Sequence, residues 1–97
     1  MSRPYEIRYA EEAGNDIREL RAFDQNKVMD GIEEHLTLQP RQESRSRIKA
    51  MSQPFWSQYR LRVDDFRVYF DVDEEEHVVN VLRVLKKGTA TTPQTSS

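Results

Sequence analysis

The chain is expected to fold as an α+β domain of order β-α-α-β-β-β-β, with an αα-hairpin packed on one face of an antiparallel sheet. Three observations lead there. Residues 59–71 (YRLRVDDFRVYFD) are two alternating runs around Asp64-Asp65, the pattern of a two-residue β-hairpin. Residues 10–36 change to a helical period in two successive segments. Residues 78–85 (VVNVLRVL) form a final apolar run rich in β-branched side chains.

Taken in order, Tyr5-Glu6-Ile7-Arg8-Tyr9 alternates and reads as a short strand. From Ala10, Ala13, Ile17 and Leu20 share one helical face with Phe23 near it, while Glu11, Glu12, Asp16 and Arg18 point outward. Asp24-Gln25-Asn26 is expected to break or cap this helix. A second helix follows with Val28, Ile32, His35 and Leu36 as its stripe, ending before Pro40. Neither helix is apolar enough to stand alone, so the pair needs a sheet to cover. Residues 40–46 (PRQESRS) form a polar loop, Arg47–Met51 a short strand, and Ser52-Gln53-Pro54 a turn. Pairing the hairpin about Asp64-Asp65 sets Val63 against Phe66, Leu61 against Val68 and Tyr59 against Phe70. Residues 73–77 then connect to the last strand. If Val72 pairs with Val78, Val68 meets Leu82, Phe66 meets Val84 and Arg67 meets Arg83. Asn80 then stands opposite Phe70 as a blemish, and a slip by one residue would move Arg83 to the other face. Residues 1–87 make one domain, and the Thr/Ser-rich segment 88–97 is expected to be a disordered tail.

Composition narrows the function. A chain of 97 residues has room for one modest core. With 36% hydrophobic and 33% charged residues, its exterior is heavily charged. There are no cysteines, which excludes disulfides and thiolate metal sites and suits a reducing cytoplasm. No apolar run reaches membrane-spanning length, and the N-terminus lacks a signal-peptide core, so no membrane association is expected. The net charge of −2 hides a division. Residues 1–40 hold five Lys/Arg against nine Asp/Glu, whereas residues 41–70 hold seven against three. Local potential at a site outweighs the total.

The positive region coincides with the outer face of the hairpin. There Arg62 faces Arg67 and Arg60 faces Tyr69. Like charges directly opposite on a sheet are destabilising. Two readings stand. The arginines are the solvated side of a one-faced sheet, or they are held together for an anion, with RNA phosphate the first candidate. Arg83 joins this face conditionally, with Lys49, Lys86 and Lys87 at its rim. Such a face could stabilise the charge developing at phosphorus while the ribose 2′-OH attacks, without metal or other cofactor. It would also need a proton acceptor and a proton donor, for which Lys49, Tyr69 and Lys87 are available. His35 and His77 lack partners at ligand spacing; His35 reads as a helix-stripe residue and His77 as a solvated turn residue. No Gly-rich nucleotide cradle or nucleophile elbow is present. Phe55 and Trp56 read as sheet-edge packing, with base stacking as the alternative.

Together these residues resemble the RelE/ParE superfamily of toxin–antitoxin toxins. The resemblance is carried by Asp16-Ile17-Arg18-Glu19-Leu20, Ile32-Glu33-Glu34-His35-Leu36 followed by Pro40, Arg47–Met51, Tyr59-Arg60-Leu61-Arg62, Phe66-Arg67-Val68 and Val81-Leu82-Arg83-Val84. It spans about residues 3–87 and implies a small toxin neutralised in a hetero-oligomer by a cognate antitoxin. RelE-like members cleave mRNA on the ribosome by metal-free transesterification. Their basic catalytic positions fall on Lys49, Arg60, Arg67 and Lys87. Strand geometry adds Arg62, Arg83, Lys86 and Tyr69 as phosphate contacts. The chain departs from that pattern in two places. Gln58 stands where a lysine is expected, and no tyrosine follows Tyr69, with Pro93 near the place of the family's C-terminal one. The resemblance therefore also admits a ParE-like inhibitor of DNA gyrase, or a non-cleaving protein that binds antitoxin and co-represses its operon.

Overall fold

Five strands and two helices follow the expected order in the computed structural model, which describes residues 4–37, 40, 48–51 and 56–86. They are β1 (Glu6–Tyr9), α1 (Glu11–Arg18), α2 (Ala22–Leu36), β2 (Ile48–Ala50), β3 (Tyr59–Val63), β4 (Phe66–Asp73) and β5 (Val78–Lys86). The strands lie in the order β1-β5-β4-β3-β2. Strands β2 to β5 are antiparallel neighbours, as expected, but β1 runs parallel to β5, so the sheet is mixed. A chain that reverses at each of six connections returns to its first direction, which is why the first and last strands agree.

One side of the sheet carries the core. Ala13 and Ile17 of α1 and Val28, Ile32 and Leu36 of α2 pack with Ile48, Leu61, Val63, Phe66, Val68, Phe70, Val72, Val79, Val81 and Val84. Fully burying one of the larger of these side chains is worth about 1.5–3 kcal/mol. The 28-32-36 spacing on α2 is the buried stripe of an amphipathic helix. At Gly31 that helix comes so close to the sheet that an added Cβ would lie 2.8 Å from Val63 Cγ2.

The joint between the helices lies earlier than the Asp24-Gln25-Asn26 cluster expected to form it. It spans residues 19–21, and that cluster opens α2 instead. Asp24 sits in the first turn, where a negative charge suits the helix dipole. The Gln25 amide reaches back to donate to the carbonyl of Leu20 at 3.0 Å, fixing the joint between the two helices. Phe23 consequently rides on α2 and is 64% exposed, rather than covering the first helix.

The hairpin has the expected register, Val63↔Phe66 through Tyr59↔Phe70. Asp64 takes the left-handed conformation at φ 52°, which aspartate tolerates better than most residues. Its carboxylate meets Lys27 Nζ at 2.6 Å, tying the turn to α2. The β4–β5 register differs from expectation. Val72 pairs with Val79, Phe70 with Val81, Tyr69 with Arg83 and Val68 with Val84, with a bulge at Leu82. The physical reason is core occupancy. The observed phase buries Val79 and Val81 and moves Asn80 opposite Asp71, away from Phe70; the extra residue then restores Val84 to the core. His77, expected to be solvated, has φ 60° and stacks on the Tyr5 ring at 3.8 Å, while the Tyr5 hydroxyl donates to Glu74. The loop 41–46, the turn 52–54, Phe55, Lys87 and the expected tail 88–97 lie outside the described residues.

A cationic row across the uncovered face

The sheet face away from the helices is organised by register. Lys49 pairs with Arg60, Arg60 with Tyr69, and Tyr69 with Arg83. These four residues form one row across β2, β3, β4 and β5, about 14 Å long at the usual strand spacing. One pleat further on, Arg62 faces Arg67, whose other neighbour is Leu85. The expected Arg67–Arg83 pairing is thus replaced, because the bulge moves Arg83 opposite Tyr69. Among the described residues, Lys49, Arg60, Arg62 and Arg67 make no ion pair. The directly opposed Arg62–Arg67 pair, with no ion pair to either guanidinium among the described residues, carries a cross-strand repulsion that a bound anion would relieve.

Arg83 is held differently. Its Nε donates to Asp16 Oδ2 at 2.7 Å and a terminal nitrogen donates to Oδ1 at 3.0 Å, a bidentate pair. Asp16 also accepts the Val84 N–H at 2.9 Å. Strand β1 ends opposite Val81, so this N–H belongs to an edge that no strand covers, and the carboxylate takes the place of a strand. The hydrogen bonds to Asp16, outweighing partial burial, hold the guanidinium pKa above its already high ordinary value. Asp16 is therefore not an outward-pointing surface acid. It is half-buried and fixes the end of the cationic row to α1. Sequence reasoning missed it, since its partners lie 67 and 68 positions away.

The remaining candidates divide. Tyr69 is buried on the uncovered face, beneath Trp56, whose ring lies 4.7 Å from the tyrosine ring. Lys86 pairs with Phe66 and so shares the phase of the helix side. It lines a groove of about 460 Å³ with Asp16, Glu19, Leu20, Arg21 and Asp24, apart from the row. Gln58 is structural: its backbone N–H donates to Asp71 and its side-chain oxygen accepts the Val72 N–H, extending the β3–β4 ladder. A lysine there could not accept that bond. Among the described residues, no group of three or more His, Cys, Asp or Glu is placed to hold a metal ion, and no helix is long and apolar enough to cross a membrane.

The fold has solved counterparts. The toxin–antitoxin complex RelBE2 of Mycobacterium tuberculosis contains a similar chain at TM-score 0.73 and 21% identity, covering 87% of this chain and 99% of that one. The isolated Escherichia coli RelE toxin aligns at TM-score 0.63 and 18% identity, covering 86% and 84%. The archaeal RelE–RelB complex of Pyrococcus horikoshii aligns at 0.57 and 19%, covering 89% and 98%. At these identities the likeness is one of fold. No curated protein matches the chain significantly. The family itself is shown by sequence: the model described as ParE toxin of type II toxin–antitoxin system, parDE, matches residues 7–90, a span that takes in the helices, the hairpin and the Arg83 strand. The chain belongs to that family, and is a RelE/ParE-superfamily toxin of a type II toxin–antitoxin system.

Proposed function

We propose that this toxin is a ribosome-dependent mRNA endonuclease that inhibits translation in the cytoplasm. The observation that carries the reading is the set Lys49, Arg60, Arg62 and Arg67, four cations without acidic partners among the described residues, aligned across three strands of the uncovered face. In the reaction the ribose 2′-oxygen attacks the adjacent phosphorus and the bond to the 5′-oxygen breaks. A 2′,3′-cyclic phosphate and a 5′-hydroxyl result. Arg60 and Arg67 face the phosphate and offset the charge that builds on its oxygens. Lys49, beside Arg60, donates a proton to the leaving 5′-oxygen and is reprotonated from solvent, and water takes up the proton lost by the 2′-hydroxyl. Lys87 is the further basic candidate that the superfamily resemblance supplies.

The partner is a cognate antitoxin, of the kind that accompanies the toxin in the RelBE2 and archaeal RelE–RelB complexes. An antitoxin that places acidic side chains over the row would block RNA and relieve the Arg62–Arg67 repulsion together.

The test is primer extension on a translated mRNA after induction of the toxin, beside Arg67→Glu. Discrete cleavage within codons that disappears in the variant is the expected result. Growth arrest without cleavage, accompanied by trapped gyrase–DNA breaks, would establish the second reading, gyrase inhibition. Two observations favour that alternative: the matching family model is a ParE one, and no tyrosine follows Tyr69. Intact growth with a retained antitoxin complex would point to a non-cleaving co-repressor.

A further inference from the structure

We propose that Trp56 is a nucleobase-stacking platform beside the cationic row, so that the toxin grips single-stranded RNA by a base as well as by its phosphates; this rests on the RNA reading above. Two large hydrophobic side chains are exposed among the described residues, Phe23 and Trp56. Phe23 lies on α2 and its ring faces the Lys27 ammonium, 4.6 Å from the ring centroid. Trp56, 45% exposed, is on the other side of the molecule. Its ring sits on Tyr69, with the two planes inclined at 49°. Tyr69 is the row member between Arg60 and Arg83 and lies next to Arg67 along β4. The indole therefore rests on the row itself, its ring centroid 4.7 Å from that of Tyr69.

Its backbone is anchored. Ser57 is buried and its hydroxyl donates to the Tyr59 carbonyl, while the Gln58 N–H is held by Asp71. A half-exposed aromatic ring seated on Tyr69, beside Arg60 and Arg67, which make no ion pair among the described residues, is the combination used to hold single strands. Stacking tolerates any base, because every base has a π-face, so Trp56 supplies affinity and register rather than sequence choice.

Trp56 is the one tryptophan of the chain, so its emission reports on this position alone. The full-length toxin is titrated at low salt with a fluorescein-labelled, 2′-O-methyl oligonucleotide, which cannot be cleaved, and with an abasic strand of equal length. The base-bearing strand is expected to quench emission in step with the rise in anisotropy. The abasic strand should bind about tenfold more weakly without quenching. Trp56→Ala should reduce the base-bearing strand to the abasic level, and Trp56→Phe should keep most of the affinity. Binding without any change in emission, or equal affinity for both strands, overturns the platform and leaves the RNA reading standing. If RNA is held only on the ribosome, the comparison is read from cleavage. A rate loss of about tenfold in Trp56→Ala with near-parental cleavage in Trp56→Phe supports the proposal, and equal rates overturn it. Absence of both binding and cleavage overturns the RNA reading as well.

Discussion

Replacing Asp16 by alanine removes three hydrogen bonds at once, from Arg83 Nε, from an Arg83 terminal nitrogen and from the Val84 N–H. The Asp16 side chain is 17% exposed and that of Arg83 38%. A hydrogen bond to a charged group is worth about 1.5–3 kcal/mol when well buried. The arginine side is open enough for solvent to reduce its share to about 1 kcal/mol or less. The Val84 N–H, left on an uncapped edge under α1, contributes about 1–3 kcal/mol. Alanine's better helix propensity returns roughly 0.5 kcal/mol. The net loss is about 2 kcal/mol, which lowers Tm by about 10 °C in a domain of this size. Asp16→Asn keeps an acceptor and should lose about half as much. A double-mutant cycle with Arg83→Ala, followed by urea unfolding and circular dichroism, measures the coupling. The two substitutions should be non-additive by about 1 kcal/mol. An Asp16→Ala protein within ~0.5 kcal/mol of the parent, or strict additivity with Arg83→Ala, would refute the assignment of Asp16 as both edge cap and arginine anchor.

Four other substitutions probe the hairpin, the helix–sheet contact, the alkaline limit and the β3–β4 ladder. Arg62→Glu exchanges a cross-strand repulsion with Arg67 for an attraction, and should raise stability by about 0.5 kcal/mol in thermal melts; under the proposed function it should also reduce RNA cleavage. Gly31→Ala improves helix propensity by about 1 kcal/mol but drives a methyl into Val63, and overpacking costs about 1–3 kcal/mol. A net destabilisation is expected, and pairing it with Val63→Ala should restore part of the loss. Burial, aided by the Glu33 charge, raises the Tyr9 hydroxyl above its ordinary value. Above about pH 10 the unfolded chain then releases this proton while the native state retains it. Stability therefore falls as pH rises through that range, and Tyr9→Phe should flatten the alkaline limb of a denaturation profile. Gln58→Lys, which installs the cation the superfamily resemblance leads one to expect, removes the acceptor of the Val72 N–H and should cost about 1 kcal/mol in urea titrations.

The amino-acid order alone determined what depends on local alternation and short loops. The β3–β4 register follows from two alternating runs about a two-residue turn, because a slip there would expose Leu61, Val68 and Phe70 together. That register places Arg60, Tyr69, Arg62 and Arg67 on one face, so two of the four row members, Arg60 and Tyr69, and the neighbouring arginine pair were legible in the alternation of residues 59–71. The helix stripes at Ala13 and Ile17 and at Val28, Ile32 and Leu36 were equally readable from their period. The helix boundary was not, because the Gln25 side chain holds the joint from within α2, five residues on, and a polar cluster reads alike as a break or as a first turn.

Only tertiary packing decided the other end of the row. The bulge at Leu82 arises because Val79, Val81 and Val84 all compete for the core against β4, and no local pattern records where an extra residue will be inserted. From it come the placement of Arg83 beside Tyr69, its capture by an acid 67 positions earlier, and the assignment of Lys86 to the helix side. Short-range periodicity specifies which face a side chain takes within an element. Charges from distant elements meet only where the strands and helices finally dock, so their pairing is a property of the folded chain.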